Sequence, residues 1–98
     1  MNSSAKIIFK NNCFFVSGVL DFFTVMTVLE SSALQMKNNS EDCFDLDLSE
    51  VTAVNSAAIA LLIEWIKCAK KLKKKIIFKN IPSQLISIAE VAGVRKFF

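Results

Sequence analysis

The chain has no histidine, only two glycines and one proline, and its three cysteines form no Cys-x-x-Cys pair. Without histidine, a Ser–His–Asp triad or Cys–His dyad cannot be built within it, and the usual Cys/His zinc sites are not available to the chain acting alone. Cys13, Cys43 and Cys68 are odd in number, widely spaced and each set in an apolar segment. They read as reduced core thiols of a reducing compartment. The scarcity of breakers, set against many Ile, Leu and Val, excludes a disordered chain. No apolar run approaches the ~18–20 residues that span a bilayer. The longest, Ala57 to Ile63, stops at Glu64. Met1-Asn2-Ser3-Ser4-Ala5-Lys6 lacks the charged start and apolar core of a signal peptide, so a cytoplasmic protein without direct membrane insertion is expected.

At 98 residues the chain is long enough for one domain, residues 1–98, with a single modest core. It is 53% hydrophobic with nine Phe, an apolar content that suggests a partner covers part of the surface. The net charge is +3, with much of the positive charge in Lys67, Lys70, Lys71, Lys73, Lys74 and Lys75. These lysines crowd the end of an expected helix, where cations complement the dipole and the unpaired carbonyls. Without interleaved exposed aromatics or Arg they read as a solvated helix end, and no nucleic-acid partner is expected.

Lys6–Lys10 and Cys13–Ser17 are short β-type runs flanking Asn11-Asn12, a pair suited to the positive φ of a tight hairpin turn. Gly18 is expected to break the second strand, and Asp21 to cap the next segment. From Phe22 to about Lys37 apolar residues recur at Phe22, Val25, Val28/Leu29, Ser32/Ala33 and Met36, which is helical spacing. Phe44-Asp45-Leu46-Asp47-Leu48 alternates as a strand. Asp45 and Asp47 then lie on a half-exposed face or point toward the following loop, where a carboxylate pair is a minor candidate for metal binding. A short connection leads to Asn55-Ser56 and to the strongest helix, Ala57 to about Lys73. Ile76-Ile77-Phe78-Lys79 reads as a buried strand. Pro82 suits a helix first turn, Leu85, Ile88/Ala89 and Ala92 stripe the last helix, and Gly93 suits its C-terminal stop. The tail Arg95-Lys96-Phe97-Phe98 is a short strand or a docked end. The order β-β-α-β-α-β-α indicates an α/β fold, a mixed, mainly parallel sheet with about three helices packed on it.

Stepped at about 100° per residue, the central helix has one arc of Ile59, Leu62, Ile63, Ile66 and Ala69 and a second of Ala58, Leu61, Trp65, Cys68 and Leu72. The apolar sector exceeds the ~100° stripe of an ordinary surface helix. Either neighbouring helices cover the second arc, or Leu61 and Trp65 belong to a protein interface, where Trp is a common anchor. Ser56 is either a plain N-cap, a role Asn55 can share or take, or a site for a phosphoryl group at the positive helix end.

These segments resemble a STAS domain, the fold named for sulphate transporters and anti-sigma-factor antagonists. Gly18-Val19-Leu20-Asp21 resembles the family's G-x-L-D lead into the first helix, and Asp47-Leu48-Ser49-Glu50-Val51 its D-L-S-x-V strand end. Asn55-Ser56-Ala57-Ala58-Ile59-Ala60-Leu61-Leu62 resembles its D-[ST]-x-G-[LI]-A/G-x-L turn and helix start. The run Ala60–Ile63 followed by Ala69-Lys70-Lys71 looks closest to the MlaB-like branch. That resemblance implies a non-catalytic subunit, without cofactor, that binds and stabilises the cytoplasmic ATPase of a phospholipid-transporting ABC transporter and is held at the inner membrane through it. Asn55, Ser56, Ala57, Ala58, Leu61 and Trp65 are the implied contact residues. The alternative is an anti-sigma-factor antagonist whose partner binding is controlled by a kinase acting on Ser56. Asn55 stands where the phosphorylated members carry Asp, and Ala58 where they carry Gly.

Overall fold

The computed structural model describes residues 4–97. Four strands and three helices follow one another as β1 (Ala5–Lys10), β2 (Cys13–Leu20), α1 (Val25–Asn38), β3 (Cys43–Val54), α2 (Ala57–Lys71), β4 (Lys75–Lys79) and α3 (Ser83–Val91). A 3-10 turn, Arg95–Phe97, ends the described chain, so the tail is not a strand, and Phe98 lies outside the described residues. The sheet order is β1-β2-β3-β4, antiparallel between β1 and β2 and parallel from β2 to β4. The Asn11-Asn12 turn has φ of 53° and 61°, the positive pair a two-residue hairpin needs to match strand twist.

Two strands run further than the sequence suggests. Gly18 bulges β2 rather than ending it: its φ is +92° and the register with β3 shifts beside it. A Cβ there would overlap the Ser4 carbonyl oxygen, which accepts the Val19 N–H at 2.9 Å, so only glycine lets β1's leading residue close on the strand. In β3 the expected connection after Leu48 is strand through Val54. Asp47 Oδ1 accepts the Ser49 N–H at 2.8 Å, and this local turn absorbs an extra residue without ending the pairing.

The core lies between the sheet and the helices. Phe14, Val16, Phe44, Leu46 and Leu48 point to the helix side and are fully buried. Phe9, Phe14 and Phe44 form an aromatic cluster with centroids 4.6–5.7 Å apart. From the helices come Val28, Met36, Ala58, Leu61, Leu62, Trp65, Leu85 and Ala89. Trp65 is completely buried, its Nε1–H donating to Ser32 Oγ at 2.6 Å, while that hydroxyl donates to the Val28 carbonyl at 2.9 Å. The second arc of α2 is thus covered within the chain by α1, and every polar atom of the Trp–Ser pair is satisfied.

Cys13 and Cys43 are not core thiols, whereas Cys68 packs against the core. Strand alternation puts Cys43 and Cys13 on the outer face, Cys43 exposed and Cys13 half-buried, and Cys68 is half-buried on α2. Burial pushes the Cys68 thiol up, and burial followed by the neighbouring Asp45 and Asp47 does the same for Cys13, so both resist forming the thiolate. β4 is not a buried strand but the sheet edge, with Ile77 45% exposed. Among the described residues no helix is long and apolar enough to cross a membrane.

Candidate protein-docking site

The parallel strands β2 and β3 end side by side: the Asn55 N–H donates to the Leu20 carbonyl at 3.2 Å. The chain therefore turns into α1 and into α2 at the same pole, the end of a parallel sheet where helix N-termini and loops collect. Both turns use one device. Asp21 Oδ1 accepts the Phe23 N–H at 2.8 Å, and Asn55 Oδ1 accepts the Ala57 N–H at 2.8 Å. At Asp21 an added turn, held by Thr24 Oγ1 donating to the Val19 carbonyl at 2.8 Å, delays α1 to Val25. Phe22 therefore lies outside the helix that its spacing suggested.

The cap of α2 is Asn55. Ser56 already has helical φ and ψ of −61° and −21° and its side chain makes no cap bond. Its residue is exposed, so the hydroxyl points to solvent at the positive end of a fifteen-residue helix. Of the other contact residues implied by the sequence, Ala57, Ala58, Leu61 and Trp65 are all buried, at 3%, 0%, 2% and 0% exposure. They support the pole from behind. Leu61 and Trp65 cannot be surface anchors, because α1 and the sheet already fill the space that a partner would need.

The exposed large apolar residues of this pole are others. Phe22 and Phe23, in the turn beside the Asn55–Leu20 bond, are 70% and 84% exposed, and Met26 follows them on the first turn of α1. Ser56, Ser87, Ile88, Val91 and Ala92 line a shallow hollow of about 420 Å³, with Val91 91% exposed. Sequence spacing assigned Phe22 to a buried stripe and gave Phe23, Met26 and Val91 no role. The adjacent Phe22-Phe23 pair was the available signal, since neighbours about 100° apart before a helix start cannot both follow one narrow face.

The carboxylates Asp45 and Asp47 lie half-buried on the outer face of the sheet. Asp45 pairs with Lys79 Nζ at 2.9 Å. Asp47 is held below the usual carboxylate range by the Ser49 backbone N–H, helped by Asn80 Nδ2 at 3.2 Å. Both are engaged within the sheet, and among the described residues no group of three metal-ligating side chains includes them.

A hairpin leading a parallel sheet, helices on one face, and two capped helix starts meeting at one pole define a STAS domain. Solved structures share this fold. The anti-sigma factor antagonist SpoIIAA in its unphosphorylated form superposes with a TM-score of 0.73 at 9% identity, over 95% of this chain and 84% of that one. An anti-sigma factor antagonist from Mycobacterium paratuberculosis does so with a TM-score of 0.64 at 17% identity, over 99% of this chain and 83% of that one. The chain belongs to the MlaB STAS domain family, whose model matches residues 14–98. No curated protein matches it significantly in sequence.

Proposed function

We propose that the chain is a non-catalytic accessory subunit that docks, through the Ser56 pole, on the cytoplasmic ATPase of a phospholipid-transporting ABC transporter. The observation that carries this reading is that the pole at which α1 and α2 begin carries exposed Phe22, Phe23 and Met26, together with a small exposed serine whose hollow is lined by Ile88 and Val91. Exposed aromatics clustered at one pole are the material of binding hot spots. Membership of the MlaB-like family supports the choice of an ATPase as partner. The subunit acts by mass action: binding the folded or assembled ATPase stabilises that state. Its place is the cytoplasm, at the inner membrane through the transporter. The test is recovery of the partner on the tagged chain from its native cells, identified by mass spectrometry. An ATPase is expected with the wild type and is lost with Phe22→Ser/Phe23→Ser. Equal recovery by that variant shows the pole to be misassigned.

A second reading has its own observation. Because Asn55 is the cap, the Ser56 hydroxyl is unoccupied and exposed, as a kinase substrate must be. In an anti-sigma-factor antagonist, phosphate there adds about −1.5 to −2 charge to the pole and switches partner binding. That reading expects a phosphate adduct of about 80 Da on the intact protein from native cells, and binding lost in Ser56→Asp but kept in Ser56→Ala. The absence of the adduct under every growth condition rejects it.

A further inference from the structure

Along the β4 side of the fold, α2 overhangs the sheet. Ile63 and Ile66 belong to the sheet-facing arc of α2, yet both are only half-buried because the sheet ends at β4, which pairs with β3 alone. A groove of about 590 Å³ runs along the outer side of β4, lined by Ile66, Ala69, Ile76, Phe78 and Ile81. A smaller hollow at Ile63 shares Ile66 and Lys70 with it and continues it along the helix. The sequence of β4, Ile76-Ile77-Phe78, is that of a strand covered on both sides. The slot has the place and lining of one more strand.

The rim states the charge that strand must carry. Lys70 and Lys75 border the groove, are exposed, and have no ion-pair partner among the described residues. Lys67 is weakly paired with Glu64 at 3.5 Å, and Lys79 is shared with Asp45. Lys74 is committed to the Asn39 and Glu41 carbonyls at 2.6 Å each. A second copy fits badly: pairing β4 with β4 antiparallel about Ile77 sets Lys75 against Lys79, and parallel pairing also brings lysines together.

We propose that the β4 edge is a second docking site, which accepts an extended acidic segment of a partner protein as a fifth strand. Alternate apolar side chains fill the α2–β4 groove beneath Lys70, and the carboxylates between them meet Lys75 at the outer face. Main-chain bonds to the open side of β4 supply affinity and the lysines supply selectivity.

The test is fluorescence anisotropy of the intact chain with a fluorescein-labelled peptide of about eight residues in which Val and Ile alternate with Glu. The same peptide with Lys in place of Glu is the control. The acidic peptide is expected to bind at least about tenfold more tightly, to slow amide exchange across Lys75–Lys79, and to lose about tenfold in affinity to Lys75→Glu. Lys75 is exposed, so that variant keeps the fold, and the exchange measurement uses the wild type. Equal affinity for the two peptides, no saturation up to about 1 mM, or protection elsewhere on the domain overturns the proposal. So does protection of β4 without peptide in a concentration-dependent dimer. Binding of phosphatidylglycerol vesicles in place of the peptide overturns it in favour of a membrane contact.

Discussion

Trp65 and the Phe22-Phe23 pair invert the roles their positions suggest. Trp65 stands on the broad apolar face of α2, where an aromatic resembles an interface anchor, yet it is wholly enclosed by α1 and the sheet. Phe22 and Phe23 precede a helix to whose stripe the spacing assigns Phe22, yet both are among the most exposed side chains of the domain. The difference lies in what each can reach. Trp65 meets Ser32 across the α1–α2 contact and Phe78 below it, at 6.3 Å between ring centroids. The added turn from Asp21 to Thr24 keeps Phe22 and Phe23 off the helix axis and turns them to solvent.

The comparison breaks first at Trp65. Trp65→Ala leaves a cavity and removes the donor to Ser32, so a loss of about 3–5 kcal/mol is expected. For a domain of this size that approaches the whole stability, and thermal unfolding followed by circular dichroism checks it. A loss below about 1 kcal/mol means the indole is not the centre of the core. Loss of partner binding by this variant would report unfolding and says nothing about an interface.

Ser32→Ala is the next largest. It removes the acceptor and leaves the buried indole N–H unpaired, at a cost of about 1–3 kcal/mol. The native Ser32 hydroxyl lies in a helix interior and bonds back to Val28, so its own helical preference contributes little. Urea denaturation of the Ser32→Ala chain measures the difference. A neutral result means that water reaches the indole.

Much of the fold was legible because its signals are local. The Asn11-Asn12 hairpin, the alternation of Phe44 to Leu48 and the helical spacing of α2 each fix an element within a few residues. What stayed hidden depends on distant partners. The continuation of β3 to Val54 needs β2 beside it, the half-exposure of Ile77 needs the knowledge that β4 is an edge strand among the described residues, and the burial of Leu61 needs α1. For the candidate site, Asn55-Ser56 was placed at the right helix start. Between the two alternatives for Leu61 and Trp65, cover by a neighbouring helix holds, and the sequence left the choice open because periodicity describes a face but not its neighbour.

A smaller effect has the opposite sign. α2 and α3 end in the same Schellman geometry. Lys74 N–H donates to the Ala69 carbonyl at 2.7 Å after α2, and Val94 N–H to the Ala89 carbonyl at 2.9 Å after α3. At α3 the left-handed residue is Gly93, φ +75°, but at α2 it is Lys73, φ +59°. Lys73→Gly relieves that conformation and is expected to stabilise the domain by about 0.5–1 kcal/mol, read as a higher melting temperature. An unchanged or lower melting temperature means Lys73 contributes contacts that offset its strain.

The smallest expected change in stability is the one that sharpens the contrast with Trp65. Phe22→Ser/Phe23→Ser exchanges two exposed rings for hydroxyls while leaving the Asp21 backbone turn and the Thr24 bonds in place. The rings bury little in the isolated chain, so unfolding should shift by no more than about 0.5 kcal/mol. A larger loss means the pair packs on the domain in solution and the pole is less apolar than it looks. With stability unchanged, any loss of partner recovery belongs to the surface itself. That separation cannot be obtained at Leu61 or Trp65, where fold and contact fail together.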